Sequence, residues 1–128
     1  WGSVGHSDGD VLLHAIVDAL LGAAKLGDIG MHFTSSDERW KGKESIYFLD
    51  HAALLVREKG FEIDYVDSTV ILEEPKLADI IPEMVYKVSY TLQIDEAAVS
   101  IKATTTDKMG FIGRGEGVGA MAIATISK

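Results

Sequence analysis

At 128 residues, with 47% hydrophobic side chains, the chain is sized for one globular domain around a single core. Twenty acidic residues against twelve basic ones leave a net charge of -8, which repels a phosphate backbone and argues against nucleic acid as a partner; an anionic ligand has to be held by metal ions or local dipoles. The absence of cysteine excludes a disulfide framework and thiolate metal sites and suits a reducing compartment. No apolar run approaches the roughly 18 residues needed to cross a bilayer and there is no signal-peptide pattern, so a soluble intracellular protein with no membrane partner is expected.

In chain order, Asp10 to Lys25 reads as a helix: Ser7 and Asp8 supply N-cap chemistry, Val11, Leu12, Ala15, Ile16, Ala19 and Leu20 recur with helical spacing, and Gly27 closes it. Gly27 to Lys43 is long and polar, the character of a binding loop. A second helix is expected from about Glu44 to Lys59, with Ile46, Leu49, Ala52, Ala53 and Val56 on one face and Gly60 at its C-terminal cap. Val66 to Leu72 alternates like a strand, and Pro82 opens a third helix carrying Met84, Val85, Val88 and Leu92. Val99 to Thr105 and Val118 to Ile126 read as two more strands, separated by a glycine-rich turn over 110–119. The expected fold class is α+β, an α/β sandwich: one domain over 1–128, with a sheet of about four strands and three helices on one face. The strands carry more apolar surface than three helices cover, which points to a homotrimer packed around the sheet faces.

Five segments could carry chemistry. His6-Ser7-Asp8-Gly9-Asp10 leads to His14, and helical spacing sets Asp10, His14 and Asp18 on one face, so His14 is either a metal ligand oriented by a carboxylate or carbonyl or a structural histidine. Leu26-Gly27-Asp28-Ile29-Gly30 offers close backbone approach and a carboxylate for a ribose diol, or a helix end with a turn aspartate. Leu72-Glu73-Glu74-Pro75-Lys76-Leu77 leaves a strand through a bend that exposes backbone groups to a base edge, or is an ordinary strand-to-helix turn. Lys102-Ala103-Thr104-Thr105-Thr106-Asp107-Lys108 ends a strand with three hydroxyls and a carboxylate, suited to phosphate contact unless the threonines only favour the strand. Gly110-Phe111-Ile112-Gly113-Arg114-Gly115-Glu116-Gly117 lacks the helix and lysine of a P-loop and is better explained as an interface turn.

In this order, HSDGDVLLHAIVDALLGAAKLGDIG, PK after a strand, KATTTDKMGF and GRGEG closely resemble the 2-C-methyl-D-erythritol 2,4-cyclodiphosphate synthases, from Gly5 to the C-terminus. The resemblance implies a lyase of non-mevalonate isoprenoid biosynthesis, in which the 2-phosphate of a CDP-linked methylerythritol attacks the β-phosphorus, closes a cyclic diphosphate and expels CMP without a protein nucleophile. It implies that His14 is a ligand of zinc or another divalent transition metal, that His6 and Ser7 contact substrate phosphates, and that His6 and Thr105 stabilise the transition state. Asp28, Ile29 and Gly30 would hold the ribose, with Phe33 and Asp37 in the same substrate loop. Leu72, Glu73, Glu74, Pro75, Lys76, Leu77 and Ala78 would line the cytosine pocket, Thr104, Thr105 and Thr106 the diphosphate, and Asp107 a second ion, magnesium or manganese. In that family three subunits share each active site, and Phe111, Arg114 and Glu116 match residues near the trimer axis, where members hold an isoprenoid diphosphate; Phe111 and Arg114 also reach the bound ligand. A cytoplasmic location, or a plastid-type organelle in a eukaryote, goes with the family.

Three departures stand out. The family's first strand supplies two zinc ligands as an Asp-x-His pair and none precedes His6, so an upstream strand carrying that pair is expected. Phe33-Thr34-Ser35-Ser36-Asp37 stands where members have proline and an acidic residue after the phenylalanine, and Asp107 replaces a glutamate. The competing readings are a catalytically silent trimeric nucleotide or isoprenoid-diphosphate binding protein, and a metal-dependent phosphohydrolase, for which the sequence shows no cluster of three or four carboxylates and histidines.

Overall fold

The computed structural model describes residues 3–33, 44–71, 79–104 and 119–128, with the helical backbone alone for 3–8. In chain order these form α1 (Ser3–Ala23), a one-turn α2 (Ile29–His32), α3 (Ser45–Glu58), β1 (Glu62–Ile71), α4 (Ile81–Leu92), a 3-10 turn (Glu96–Ala98), β2 (Val99–Thr104) and β3 (Gly119–Ser127). The α+β expectation holds, and among the described residues the sheet has three strands where about four were expected.

The apolar residues of α1 fall in adjacent pairs one turn apart. Leu12 and Leu13, Ile16 and Val17, Leu20 and Leu21, then Ala24, are all buried, a face broad enough to meet both the sheet and α3. Val11, Ala15 and Ala19 are only half-buried, so the core face is rotated from the expected one. The helix starts at Ser3, not at a cap formed by Ser7 and Asp8, which lie inside it. Serine and aspartate are only mildly unfavourable within a helix, so capping chemistry does not end one that has upstream turns to continue.

The close of α1 also differs from expectation. Lys25 takes the left-handed conformation (φ 57°), its amide donates to the Gly22 carbonyl and the Leu26 amide to the Leu21 carbonyl, the Schellman pattern; Gly27, also left-handed, lies beyond the end. α3 closes in the same way at the expected Gly60 (φ 97°), and α4 at Gln93 (φ 55°). Pro82 stands at the start of α4 as expected.

β1 is central, parallel to β2 and antiparallel to β3, with Val66 opposite Val99 and Ala124. It begins at Glu62, ahead of the expected Val66, because the register shifts between Ile63 and Tyr65, an irregularity that breaks the alternation the sequence would otherwise display. Ile63, Val66, Ser68 and Val70 of β1, Val99 and Ile101 of β2, and the small row Ala120, Ala122, Ala124 of β3 face the helices. The alanines let α1 lie close on β3. On the opposite face Met121 (63% exposed), Ile123 (69%) and Tyr65 stand in solvent beside an Asp67–Lys102 ion pair of 2.7 Å.

α3 is fastened to both neighbours at its C-terminal end, where Arg57 donates to the Leu92 carbonyl at the end of α4 and Lys59 to the Ala24 carbonyl at the end of α1. Each cation sits where a helix leaves carbonyls without intrahelical donors. Among the described residues no helix is long and apolar enough to cross a membrane.

Candidate functional site

His14 projects from the exposed side of α1, with Asp10 one turn before it and Asp18 one turn after. Asp18 Oδ1 accepts from the Ile29 amide at 2.7 Å, which engages that oxygen in closing the segment after α1. The ring meets Ser45, at the first turn of α3, whose Oγ lies 3.0 Å from His14 Nε2. In the tautomer with its proton on Nε2 the imidazole donates to Ser45 and keeps a lone pair on Nδ1 for an electrophile; in the other, Nδ1–H is a donor.

The segment after α1, expected as a binding or mobile loop, contains α2, and its described part, up to Phe33, is tightly closed. Asp28 caps α2 by accepting from the Met31 amide through Oδ1 at 3.0 Å. His32 Nε2 donates to the Leu26 carbonyl, which folds the end of the segment back on its start. Gly27 has φ 95°, a conformation that favours glycine, while the Met31 side chain that a Cβ would meet is exposed and free to move aside. At Gly30 a Cβ would stand 3.4 Å from Asp28 Oδ1, within ordinary contact range, so nothing there enforces glycine. The two expected roles of Asp28 are compatible: one oxygen holds the turn, and Oδ2 has no partner among the described residues on an exposed side chain.

Phe33 ends this segment and packs on α3, stacked on Phe48 at 5.1 Å between ring centroids and met edge-on by His51 at 5.6 Å; the Phe48 ring is also 6.1 Å from His14. Ser45, Phe48 and His51 were missed by sequence reasoning. The legible signal was their spacing of three, which sets them on one side of α3 next to its core face.

The structure thus brings together His14, Asp28, Ile29, Gly30 and Phe33. Thr104 ends β2 on the exposed side of the strand. The helical backbone of α1 carries His6 and Ser7 about two turns before His14. Asp37, the cytosine segment Leu72 to Ala78, Thr105, Thr106, Asp107, Phe111, Arg114 and Glu116 lie outside the described residues. No group of three or more histidine and carboxylate side chains able to hold a metal ion occurs among the described residues, so His14 contributes one donor where a tetrahedral catalytic zinc needs three.

The fold and this site define a class: an α+β domain with its helices on one sheet face, carrying an exposed histidine on α1 and a glycine-flanked aspartate turn just after that helix. The chain belongs to the YgbB family, whose model matches residues 1–127. It is 50% identical over 127 residues to the 2-C-methyl-D-erythritol 2,4-cyclodiphosphate synthase of Alkaliphilus oremlandii, covering 99% of this chain and 81% of that protein. It is 52% identical over 128 residues to the enzyme of the same name from Solibacter usitatus, covering 100% and 80%. Among solved structures it resembles the CDP complex of IspF from Plasmodium falciparum, at 34% identity and a TM-score of 0.77, over 91% of this chain and 69% of that one.

Proposed function

We propose that the chain cyclises 4-diphosphocytidyl-2-C-methyl-D-erythritol 2-phosphate to 2-C-methyl-D-erythritol 2,4-cyclodiphosphate with release of CMP, as a lyase of isoprenoid biosynthesis. The observation that carries the reading is similarity along nearly the whole chain to proteins of that name, joined to a neighbour of the same fold whose structure holds CDP. The geometry supports it locally. The free oxygen of Asp28 suits the two hydroxyls of a ribose, since one carboxylate oxygen accepts from a diol while the other keeps the turn closed. The substrate supplies both nucleophile and leaving group, so the protein has to bring the 2-phosphate and the β-phosphorus together, orient them in line and balance the charge that develops.

In this proposal His14 meets the phosphate end, His6 and Ser7 extend that contact along α1, and Thr104, Thr105 and Thr106 bind the diphosphate, with His6 and Thr105 stabilising developing charge. Leu72 to Ala78 hold cytosine. Zinc at His14 and magnesium or manganese at Asp107 are part of the proposal; such ions supply Lewis-acid polarisation of a phosphoryl oxygen when bound. The homotrimer belongs to it as well, supported by the apolar face of the sheet opposite the helices, with Phe111, Arg114 and Glu116 near its axis around an isoprenoid diphosphate. The test is incubation of the purified protein with the CDP-linked substrate and divalent metal, followed by 31P NMR. Equimolar cyclic diphosphate and CMP are expected; inorganic phosphate, or CDP-ligand binding without turnover, would overturn the reading.

A further inference from the structure

The two halves of the candidate site lie on different elements, His14 on α1 and the aspartate turn in the segment that ends at Phe33. Both rest on the same face of α3. Ser45 is 5% exposed, and its hydroxyl meets His14 Nε2. One turn on, the Phe48 ring stacks on Phe33 with an interplanar angle of 26° while also lying beside His14; one turn further, His51 closes on the edge of Phe33. Spacings of three residues put all three side chains in a row along the helix. At its other end α3 is held to α1 and α4 by Lys59 and Arg57, so the row is mounted on an element anchored along its length.

We propose that α3 is the spacer that sets the distance and orientation between the His14 imidazole and the Asp28 turn, with Ser45 and Phe48 as its positioning residues. The proposal rests on the cyclising function above. The physical argument is that an aligned displacement within one bound substrate depends on where the phosphate end and the ribose end are held, and misplacement by about 1 Å can cost on the order of a hundredfold in rate. Ser45 acts on the phosphate end alone, by holding one ring nitrogen of His14 and so fixing the orientation of the imidazole. Phe48 acts on both ends, because its ring is shared by His14 and Phe33.

Three measurements on the full-length protein test this: steady-state kinetics, calorimetric titration with CMP, and 15N NMR of the His14 ring. Ser45→Ala is expected to lower kcat by about tenfold, to leave CMP affinity and melting temperature near wild type, and to move the His14 Nε2 resonance as its hydrogen bond is lost. Ser45→Thr, which keeps the hydroxyl, is expected to restore both kcat and the resonance. Phe48→Ala is expected to lower kcat and CMP affinity together, and Phe48→Tyr to retain them. The proposal is overturned if Ser45→Ala leaves the His14 Nε2 resonance unchanged, or if its kcat, CMP affinity and stability all fall together, the signature of a merely structural serine. A wild-type protein that forms no cyclic product, but whose His14 resonance and CMP binding respond to these substitutions as stated, would end the cyclising function and leave the spacer standing.

Discussion

Asparagine at position 28 still offers a side-chain oxygen to the Met31 amide, because asparagine and aspartate are comparable helix caps, but it removes the charge from the exposed edge of the carboxylate. Asp28→Asn is therefore expected to change stability by less than about 0.5 kcal/mol and to weaken CMP binding about tenfold, whereas Asp28→Ala should lose about 1 kcal/mol of stability as well. Thermal unfolding and CMP calorimetry on the two variants separate the cap from the ribose contact. Gly27→Ala should lose about 1–3 kcal/mol, because the left-handed backbone opposes a Cβ there. This turn was partly legible in the sequence, since glycine and aspartate announce one. The partners of its neighbours were not, because the Asp18 contact to Ile29 and the Ser45 contact to His14 join residues distant along the chain, and no local pattern encodes them.

Helix closure shows where local reading stops. All three long helices end in the same hydrogen-bond pattern, yet only Gly60 could be expected from the sequence, because the left-handed position is taken by lysine in α1 and glutamine in α4. Both are tolerated because tertiary packing over-determines the turns that follow. Gln93→Gly should relieve the conformation and stabilise the protein by roughly 0.5–1 kcal/mol, read as a rise in melting temperature. Loss of the cation that caps a neighbouring helix has the opposite sign: Lys59→Ala or Arg57→Ala is expected to lose about 1 kcal/mol each, discounted for partial exposure. The phase of α1 was misread for a related reason. A helix with apolar residues on most of its circumference displays its period but not which side is buried, and here α3 and β3 decide that together. The start of β1 was missed at the register irregularity, where Glu62 and Asp64 look like loop chemistry although Glu62 and Ile63 still pair with β3.

At the scale of the whole molecule the uncovered sheet face matters most. Met121 and Ile123 stand exposed on β3, and the proposed trimer covers this face. Sedimentation equilibrium is expected to give about three chain masses, and Ile123→Asp to shift the distribution toward one. Asp67 lies on the same face, where the hydrogen bond from Lys102 is the largest cause holding its carboxyl below the ordinary value of 3.8. A group depressed in the folded state contributes its stability above the unfolded value and loses it as pH falls through the folded one. Any contribution of this pair is therefore full at neutral pH and fades as pH falls below 3.8, so Asp67→Asn should lower the neutral plateau slightly and converge with wild type at the acid end of the stability curve.

The seating of α1 on β3 also has a consequence for synthesis. The two elements stand at opposite ends of the order in which the described chain leaves the ribosome, and the central strand pairs with that same last strand, Ile63 opposite Ile126. The part of the α1 apolar stripe that β3 covers therefore waits for that strand even after α3 and β1 have met the helix, and distant pairings of this kind slow folding because the loop is closed before the contact forms. A nascent chain stalled before Gly119 presents that stripe to chaperones, so its capture by an apolar-specific holdase should persist until β3 emerges and end promptly afterwards.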